Sequence, residues 1–562
     1  MNLHEIQKNL TTDAMLVFRN NHFLGQDILD TENQISALTG FDGSAGTLLI
    51  TRKKAFLFVD GRYEIQSKQQ TNPEDVTVIV ESPAQNIFQW MRDYLPQLSI
   101  AFNPWQISIS ELQNFKNALP NAVFVPQPVL VSTGRAAAFN HDIQYAGKSA
   151  EEKIKDIAKQ TAISGADAVF FAAADSVSWL TNLRSNALPE TPILRAMALL
   201  NKEGKITLFT DNVRLPSDCR FEKRPLAKIK STLKEYAGKK LNLDFKSTPA
   251  ALVDICTKLN IKILNHIDSC AFAKAQKNEI ELQGITDAHL HDGIAMCRFL
   301  SWFDKNHQGK TEMDIVHKLL SFRKKQPLFH SVSFGTIAGS AENAAIIHYQ
   351  PNEKHFSKIK DNSVLLLDSG GQYLNGTTDI TRTIAVGTPT DEIKQKFTVV
   401  LKAHIALASL RFPQHTSGVR LDAVCRSVMW RFGLDYKHGT GHGVGCFLNV
   451  HEGPQNIGAS GNSYSIKSGM VVSIEPGYYQ ENAFGIRIEN LVKVVEDKEI
   501  SGFLKFEPLT LAPIDFRLVD KYLLDDGEIK WLNNYHHIVF KKLQDKLSKQ
   551  DCKWLEKACA PL

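Results

Sequence analysis

Short apolar runs separated by glycine-rich turns fill the first 145 residues of the chain. Thr47–Ile50 and Ala55–Val59 have the length and the β-branched and aromatic content of buried strands. Glycines in Thr39–Gly46 and Asp60–Tyr63 supply the turns that precede and follow this pair. Because helical patterns alternate with these strands, we predict an α/β domain over residues 1–145.

A second α/β domain is predicted over residues 146–270. Ser149 and Glu152 form a capping box, and apolar residues then recur at helical spacing until Gly165 ends the helix. The run Ala168–Phe171 is typical of the strand that follows. The succession of helix and strand therefore indicates a second unit of the same class.

A third domain is predicted over residues 271–562, with no low-complexity linker before it. Gly284 and Gly293 interrupt the apolar pattern of its first helix, and glycine is unfavourable inside a helix. The apolar positions of this helix are Ile280, Ala288, Ile294, Met296 and Phe299.

Two aspartates interrupt apolar strands in this third domain. The buried-strand pattern Val364–Leu367 stops at Asp368, and we expect a turn at Ser369–Gly371 to follow it. A second strand, Gly376–Val386, places Asp379 on its polar face. Buried carboxylates are costly unless they are neutralised. Taken alone, however, each aspartate is better explained as a turn cap or a solvent-facing side chain.

Four glycines lie among the eight residues His438–Gly445, in which two histidines stand four positions apart. This spacing would place both imidazoles on one helical face, but the glycine content makes a helix unfavourable. We therefore predict an extended segment or loop whose backbone passes close to a ligand. The segment also lacks the third glycine of the dinucleotide-binding fingerprint, because Val444 occupies that position.

Two glutamates and an arginine complete this set of polar residues in apolar strands. The run Met470–Ile474 leads into Glu475, and alternation over Gly485–Val492 places Arg487 and Glu489 on one face. An ion pair between Arg487 and Glu489 would explain those two residues alone. It would not explain why two aspartates, two glutamates and a histidine all stand at the ends or on single faces of apolar strands.

These five residues together predict a dinuclear metallohydrolase. Carboxylate oxygens and one imidazole suit Mn²⁺, Co²⁺ or Zn²⁺, and four carboxylates balance the charge of two divalent cations. Two cations ~3.5–4 Å apart lower the pKa of water towards ~7, so hydroxide becomes available at neutral pH without a covalent nucleophile.

Composition agrees with a globular protein and excludes several other classes. Hydrophobic residues make up 43% of the 562 residues and charged residues 22%, which excludes disordered, collagen-like and coiled-coil chains. The net charge of +5 comes without a dense basic block, so we expect no nucleic-acid partner. Eight dispersed cysteines, no apolar stretch long enough for a bilayer and no signal-peptide pattern favour a cytoplasmic location without a membrane partner.

The polar residues lie in motifs that resemble the pita-bread metallopeptidases, and more narrowly the long, three-domain cytosolic type of aminopeptidase P (Xaa-Pro aminopeptidase). The matching motifs are Asp368–Tyr373, Gly376–Thr383, His438–Gly445, Val450–Pro454, Glu475–Gly477 and Gly485–Asn490. Thr39–Gly46, Trp179–Arg184 and Phe506–Leu511 extend the resemblance to nearly the whole chain. The chain departs from the family at Asn375, where an aspartate is frequent, but this is not a ligand position.

The resemblance implies a fold and an activity. The fold is α/β (α+β), with two creatinase-like N-terminal domains before a pita-bread catalytic domain that carries a C-terminal tail. The activity is removal of the N-terminal residue from peptides with proline in the second position, by attack of metal-activated water. The family also implies a homodimer and two divalent ions per chain, Mn²⁺ before Co²⁺ or Zn²⁺.

Position by position, the resemblance also implies the metal ligands. Asp368 would bind one ion and His442 the other, while Asp379 and Glu489 would bridge both. Glu475 would bind the second ion and accept a proton from the attacking water.

The resemblance assigns four further residues to catalysis. His348, His438 and His451 match substrate-site histidines, which would orient the peptide, shuttle protons and stabilise the oxyanion. Arg487 would fix a bridging carboxylate.

Two alternatives stay open at this point, a prolidase-like Xaa-Pro dipeptidase and a non-catalytic, peptide-binding pita-bread protein. The complete ligand set counts against the non-catalytic alternative. The three-domain length, the C-terminal tail and the glycines around Thr440 favour the aminopeptidase over the dipeptidase.

Overall fold

A computed structural model of the protein describes residues 2–82, 84–95, 97–130, 135–211, 213–459 and 464–562. The chain divides into two units. Unit 1 comprises Met1–Ile143, Lys148–Leu188 and Pro192–Phe272, and unit 2 comprises Gln144–Gly147, Pro189–Thr191 and Ala273–Leu562.

Unit 1 is built from two six-stranded sheets and a smaller three-stranded sheet. Its strands are β1 (Ala14–Phe18), β2 (Thr47–Thr51), β3 (Ala55–Val59), β4 (Val76–Val80), β5 (Ser99–Phe102), β6 (Val123–Pro126), β7 (Ala136–Asn140), β8 (Ala168–Phe171), β9 (Leu183–Ser185), β10 (Met197–Asn201), β11 (Ile206–Phe209), β12 (Val213–Arg214), β13 (Glu222–Arg224), β14 (Lys240–Leu243) and β15 (Lys262–Leu264). The helices up to the start of unit 2 are α1 (Leu3–Asn9), α2 (Gln34–Thr39), α3 (Glu64–Gln70), α4 (Ile87–Tyr94), α5 (Ile109–Ala118), α6 (Ile143–Ala146), α7 (Ala150–Ile163), α8 (Ala174–Thr181), α9 (Ile229–Leu233), α10 (Ala251–Lys258) and α11 (Ser269–Ala275).

The sheets of unit 1 contain the strands that the sequence predicts there. One six-stranded sheet has the order β4-β3-β2-β1-β5-β6, and the other has the order β13-β11-β10-β8-β14-β15. The predicted pair β2 and β3 is antiparallel within the first of these sheets. Ser149 and Glu152 form the predicted capping box at the start of α7. These predictions are confirmed. They could be made from the sequence because each depends only on residues that are neighbours in the chain.

Unit 2 carries the acidic motifs on small sheets packed with long helices. Its strands are β16 (Phe329–Val332), β17 (Ile337–Ser340), β18 (Ser363–Ser369), β19 (Gly371–Tyr373), β20 (Gly376–Thr377), β21 (Ile380–Val386), β22 (Arg411–Pro413), β23 (Gly441–Gly443), β24 (Glu452–Ile457), β25 (Val471–Ile474), β26 (Gly477–Gln480), β27 (Phe484–Arg487), β28 (Asn490–Glu496) and β29 (Phe503–Pro508). Its further helices are α12 (Glu279–Asn306), α13 (Glu312–Arg323), α14 (Asp391–Ala408), α15 (Gly418–Trp430), α16 (Asp526–Leu543) and α17 (Lys549–Ala558). Among the described residues, no helix is both long enough and apolar enough to cross a bilayer.

Helix α12 is continuous through both of the glycines that weakened its prediction. A Cβ on Gly284 would lie 2.5 Å from the carbonyl oxygen of Asn375, and one on Gly293 would lie 2.6 Å from that of Leu511. The glycines therefore allow the helix to pack directly against neighbouring backbone. Ile280 is 46% exposed, so the buried face of the helix begins after this residue.

Three details of the predicted strands are wrong. The chain stays extended through Asp368, because β18 continues to Ser369 and β19 begins at Gly371, where a turn was predicted. The predicted strand Gly376–Val386 is divided into β20 and β21, with Asp379 in the break. The predicted strand Gly485–Val492 is likewise divided into β27 and β28, with Glu489 in the break.

Each break is a place where the chain leaves one sheet and enters another. β20 belongs to the sheet β16-β19-β20, whereas β21 belongs to β17-β18-β21. β26 and β27 form a two-stranded sheet between β25 and β28, which pair with each other in the six-stranded sheet β22-β29-β28-β25-β23-β24. Glu475 precedes β26 and Glu489 precedes β28, so both glutamates lie at such crossings.

Candidate metal centre

Side chains from two sheets of unit 2 converge on one small volume. Asp379, His442 and Glu489 each offer a ligand atom within 4.8 Å of the other two. Nε2 of His442 lies 3.4 Å from Oδ2 of Asp379 and 3.5 Å from Oε1 of Glu475. The structure thus brings together four of the five predicted ligands by direct proximity.

Arg487 and Thr381 connect the fifth predicted ligand, Asp368, to this group. Nη2 of Arg487 donates to Oδ2 of Asp368 at 2.7 Å, and Nε of Arg487 donates to the Thr381 hydroxyl at 3.2 Å. That hydroxyl in turn donates to Oε2 of Glu489 at 2.8 Å. Arg487 thus contacts Asp368 directly and reaches Glu489 through Thr381, and its predicted role of fixing a bridging carboxylate stays a prediction.

The carboxylates are crowded and buried, which penalises their charged forms. Burial, followed by the nearby Asp368 carboxylate, raises the pKa of Asp379 well above its ordinary value. Burial and then Asp379 do the same to the pKa of Glu489. Burial also raises the pKa of Glu475, although His442 and Arg487 oppose that rise. Nearby positive charge would reverse all three shifts.

Three of these acids also keep a buried oxygen that no hydrogen bond satisfies among the described residues. These atoms are Oδ1 of Asp368, Oδ1 of Asp379 and Oε1 of Glu489. A buried polar atom without a partner is costly, whereas a divalent cation is a partner that accepts several oxygen ligands at once. The donor set of oxygens and one imidazole therefore fits divalent metal ions.

One ring nitrogen of the candidate ligand His442 is held by the backbone. Nδ1 of His442 lies 2.8 Å from the carbonyl oxygen of Gly443, which can only accept a hydrogen bond. A neutral His442 would therefore carry its proton on Nδ1 and turn the lone pair of Nε2 towards the carboxylates, which is the tautomer that binds a metal. The backbone N–H of His442 donates to the Ser473 hydroxyl at 2.9 Å, and that hydroxyl donates to Oε1 of Glu475 at 3.0 Å.

The glycines around His442 serve close packing of strands. The predicted extended conformation is confirmed, because Gly441–Gly443 form strand β23. A Cβ on Gly441 would lie 1.9 Å from the Ser473 carbonyl oxygen, and one on Gly443 would lie 2.3 Å from that of Glu452. The close approach at these two positions is therefore to neighbouring residues, and the approach of this segment to a ligand stays a prediction.

Helix α15 holds the loop that precedes β23. Asp422 accepts a hydrogen bond from the Thr440 hydroxyl at 2.6 Å and pairs with Arg426 at 2.8 Å. Nη2 of Arg426 donates to the carbonyl oxygen of His438 at 2.7 Å. The loop is thus fixed at two residues by one buried ion pair.

His438 belongs to a buried hydrogen-bonded chain that includes Tyr479. Nδ1 of His438 donates to the carbonyl oxygen of Gly439 at 2.8 Å, so Nε2 accepts from the Tyr479 hydroxyl, also at 2.8 Å. The Tyr479 oxygen accepts from Nη1 of Arg487 at 2.6 Å. The chain therefore joins His438 to the guanidinium that binds Asp368.

His451 lies beside His442 and next to a buried ion cluster. The rings of His451 and His442 are perpendicular, with their centres 4.3 Å apart. The following residue, Glu452, pairs with Lys277 and lies 3.4 Å from Nζ of Lys274. All three charged side chains are almost completely buried, where such charges are tolerated only as pairs.

His348 follows a residue that touches the same arginine. The carbonyl oxygen of Ile347 accepts from Nη2 of Arg487 at 3.3 Å, and His348 itself is half-buried. The structure thus connects the segments of His348 and His438 to the metal centre through Arg487, and it places His451 against His442.

Sequence reasoning missed several residues that hold the site together. Ser473 and Tyr479 carry no signal in the sequence, since a serine in a strand and a tyrosine after a turn are ordinary. Thr381 did carry one, because it shares a strand face with Asp379. Arg382 donates to the Glu489 carbonyl at 2.7 Å. It stands on the opposite strand face among apolar residues, where a charged residue is itself a signal.

Known families account for successive parts of the chain. Residues 2–137 and 132–281 each match the Creatinase/Prolidase N-terminal domain. Residues 283–496 match Metallopeptidase family M24, and residues 502–562 match the C-terminal region of peptidase M24.

Relatives of known name match the chain over nearly its whole length. The probable Xaa-Pro aminopeptidase P of Laccaria bicolor is 35% identical over 100% of this chain and 92% of its own length. Aminopeptidase P2 of Arabidopsis thaliana is 33% identical over 98% of this chain and 86% of its own. The chain belongs to the aminopeptidase P group of metallopeptidase family M24.

A solved structure of this group has the same fold. The X-prolyl aminopeptidase of Caenorhabditis elegans, described as a cytosolic enzyme with a di-nuclear active site, superposes with a TM-score of 0.93. It is 31% identical, and the match covers 100% of this chain and 98% of that one. The prolidase of Thermococcus sibiricus is 25% identical with a TM-score of 0.54, and it covers only 65% of this chain. The expected fold, two creatinase-like domains before a pita-bread domain, is therefore confirmed.

Proposed function

We propose that this member of the aminopeptidase P group is a metal-dependent enzyme that removes the N-terminal residue from peptides with proline in the second position. The observation that carries the proposal is the convergence of three buried carboxylates, the partly buried carboxylate of Glu475 and one imidazole in unit 2. The names of its full-length relatives support the substrate class. The match along the entire aminopeptidase, against 65% of the chain for a prolidase, favours the aminopeptidase over the dipeptidase.

Two divalent ions, most favourably Mn²⁺, are the proposed occupants of the site. Asp368 and His442 would each hold one ion, and Asp379 and Glu489 would lie between the two. The bound ions would supply the Lewis acidity that polarises the peptide carbonyl and lowers the pKa of water. The unsatisfied oxygens of Asp368, Asp379 and Glu489 support this assignment.

Glu475 and three histidines would carry out the proton transfers and orient the substrate. Glu475 lies beside His442 at the end of β25, where it can accept a proton from the attacking water. His348, His438 and His451 would orient the peptide and stabilise the developing oxyanion. Nε2 of His438 accepts from the Tyr479 hydroxyl, so His438 would act together with this tyrosine and with Arg487.

We further propose a cytoplasmic homodimer built from domains 1–145, 146–270 and 271–562. The relative from Caenorhabditis elegans is a cytosolic enzyme, which supports the location. Analytical ultracentrifugation of the full chain tests the dimer, since a single species with the mass of one chain would contradict it.

Removal and replacement of metal test the proposed activity. Chelated protein should lose hydrolysis of an Xaa-Pro tripeptide, and Mn²⁺ should restore it better than Co²⁺ or Zn²⁺. Asp379→Ala and Glu489→Ala should lose affinity for both ions by elemental analysis, because each residue would contact both. Glu475→Gln separates proton transfer from metal binding. The glutamine amide can still bind a metal through its oxygen but cannot accept the proton from water. Full activity in metal-free protein would contradict the proposal.

A further inference from the structure

A buried carboxylate outside the metal centre holds the segment that carries His348. Glu312 is the first residue of α13, and none of its surface is exposed (0%). A buried carboxylate requires hydrogen-bond donors around both of its oxygens. In the part of the chain that the structure describes, the donors to Glu312 come from one stretch, residues 340–357.

Donors from the beginning, middle and end of this stretch meet at Glu312. Oε1 accepts from the backbone N–H of Ser340 at 2.8 Å and from Nδ2 of Asn343 at 3.0 Å. Oε2 accepts from the Tyr349 hydroxyl at 2.8 Å and from the backbone N–H of Ser357 at 2.6 Å. Nδ2 of Asn343 also donates to the Tyr349 oxygen at 3.0 Å. The carboxylate therefore closes the stretch into a loop with a fixed interior.

Both chain neighbours of His348 are anchored in this loop. The carbonyl oxygen of Ile347 accepts from Arg487 at 3.3 Å, and the same guanidinium nitrogen donates to Asp368 at 2.7 Å. On the other side, the Tyr349 hydroxyl donates to Glu312. The backbone at position 348 is thus held between the metal centre and a buried carboxylate.

We propose that Glu312, acting through Tyr349, is a positioning residue for His348 in the peptidase reaction. This inference rests on the proposed function, which gives His348 a role in binding the substrate. Displacing a reacting group by about 1 Å can lower a rate about 100-fold, so a loop that fixes the imidazole affects turnover without touching the substrate. Glutamine would not replace Glu312, because its amide nitrogen would face one of the donors.

Tyr349→Phe is the least disruptive test, because it removes one hydroxyl and keeps the ring. We expect kcat for an Xaa-Pro peptide to fall about tenfold, with metal content unchanged, since the loop would keep its backbone bonds but lose the anchor beside His348. Glu312→Gln should lower kcat further and also lower the unfolding temperature. If Glu312→Gln does not fold, Tyr349→Phe alone decides the question. Tyr236→Phe, at another half-buried tyrosine, is the matched control and should change neither property.

A double-mutant cycle separates positioning of His348 from a general structural effect. In a His348→Ala background, Tyr349→Phe should change kcat by less than about twofold, because the group that it positions is absent. Additive losses would overturn the inference, and so would loss of metal in Tyr349→Phe.

A spectroscopic readout separates this inference from the proposed function. In protein labelled with ¹⁵N at histidine, the His348 imidazole signal, identified by its absence from His348→Ala, should shift in Tyr349→Phe and stay in place in Tyr236→Phe. An unmoved signal would overturn the positioning role. Lack of peptidase activity in the unmodified protein would instead contradict the proposed function.

Discussion

Individual residues in this site are explained by their bonding partners more than by their chemical type. Asp368 and Asp379 are both buried aspartates, yet Asp368 pairs with Arg487, while Asp379 lies between His442 and the other carboxylates. Burial and neighbouring negative charge therefore raise the pKa of Asp379 well above its ordinary value. The two aspartates thus have different environments within the candidate metal centre, as expected if their roles differ.

His451 is the residue whose role is easiest to separate from metal binding. Its exposed ring packs against the ring of His442, and its neighbour Glu452 is anchored independently. His451→Ala should therefore keep nearly full metal content, while kcat falls about 10²–10⁴-fold, the range for a lost acid–base or oxyanion group. Elemental analysis and steady-state kinetics check this, with the exposed His537→Ala as the matched control. Joint loss of metal and activity would make His451 a ligand or a structural residue instead.

At the scale of secondary structure, three of the four acids of the candidate centre stand where the chain moves between sheets, whereas Asp368 lies within β18. Asp379 lies between β20 and β21, Glu475 between β25 and β26, and Glu489 between β27 and β28. A crossing interrupts the backbone hydrogen bonds between strands. A side chain there need not follow the alternation of side-chain directions along a continuous strand. Such crossings bring carboxylates from different sheets towards one point.

Helix α12 supplies a test of packing at the same scale. In an exposed helix, Gly→Ala stabilises by about 1 kcal/mol. At Gly284 the added methyl group would lie 2.5 Å from the Asn375 carbonyl oxygen, and overpacking of this kind costs about 1–3 kcal/mol. Gly284→Ala should therefore lower the free energy of unfolding, measured by denaturant titration, whereas Gly25→Ala, with open space around it, should leave it nearly unchanged. A more stable Gly284→Ala protein would show that the helix can move away from the sheet.

At the scale of the whole chain, the match to full-length aminopeptidases extends beyond the metal centre. The C. elegans enzyme covers the entire chain, whereas the T. sibiricus prolidase covers 65% of it. Substrate specificity therefore tests the match over the whole chain, whereas metal binding tests the metal centre alone.

We expect the full chain to discriminate by the residue after the scissile bond. Proline there has no N–H and a φ fixed near −65°, so a site shaped for its ring gains apolar contact that alanine does not give. Xaa-Pro-Pro should exceed matched Xaa-Ala-Ala in kcat/KM by about 10–200-fold, and N-acetylated peptides should stay uncut. An Xaa-Pro dipeptide measured in parallel tests the prolidase alternative. Equal kcat/KM for the two tripeptides would refute the specificity and leave the metal chemistry intact.

The sequence by itself determined the local elements and the identity of the candidate ligands. Strands β2, β3 and β8 and helix α7 were predictable because apolar periodicity and capping act between near neighbours. Asp368, Asp379, His442, Glu475 and Glu489 are predicted as ligands because polar and charged residues are out of place in apolar strands. The resemblance to a known family then assigned each of these residues to a family motif.

Only the tertiary structure decided how these elements meet. It divided two predicted strands at Asp379 and Glu489, because pairing with different partner strands outweighs the continuous pattern within one segment. It joined Arg487 to Asp368, 119 positions away in the chain, and set Gly284 against Asn375. Such contacts depend on the packing of distant segments, for which no local pattern of residues carries the information.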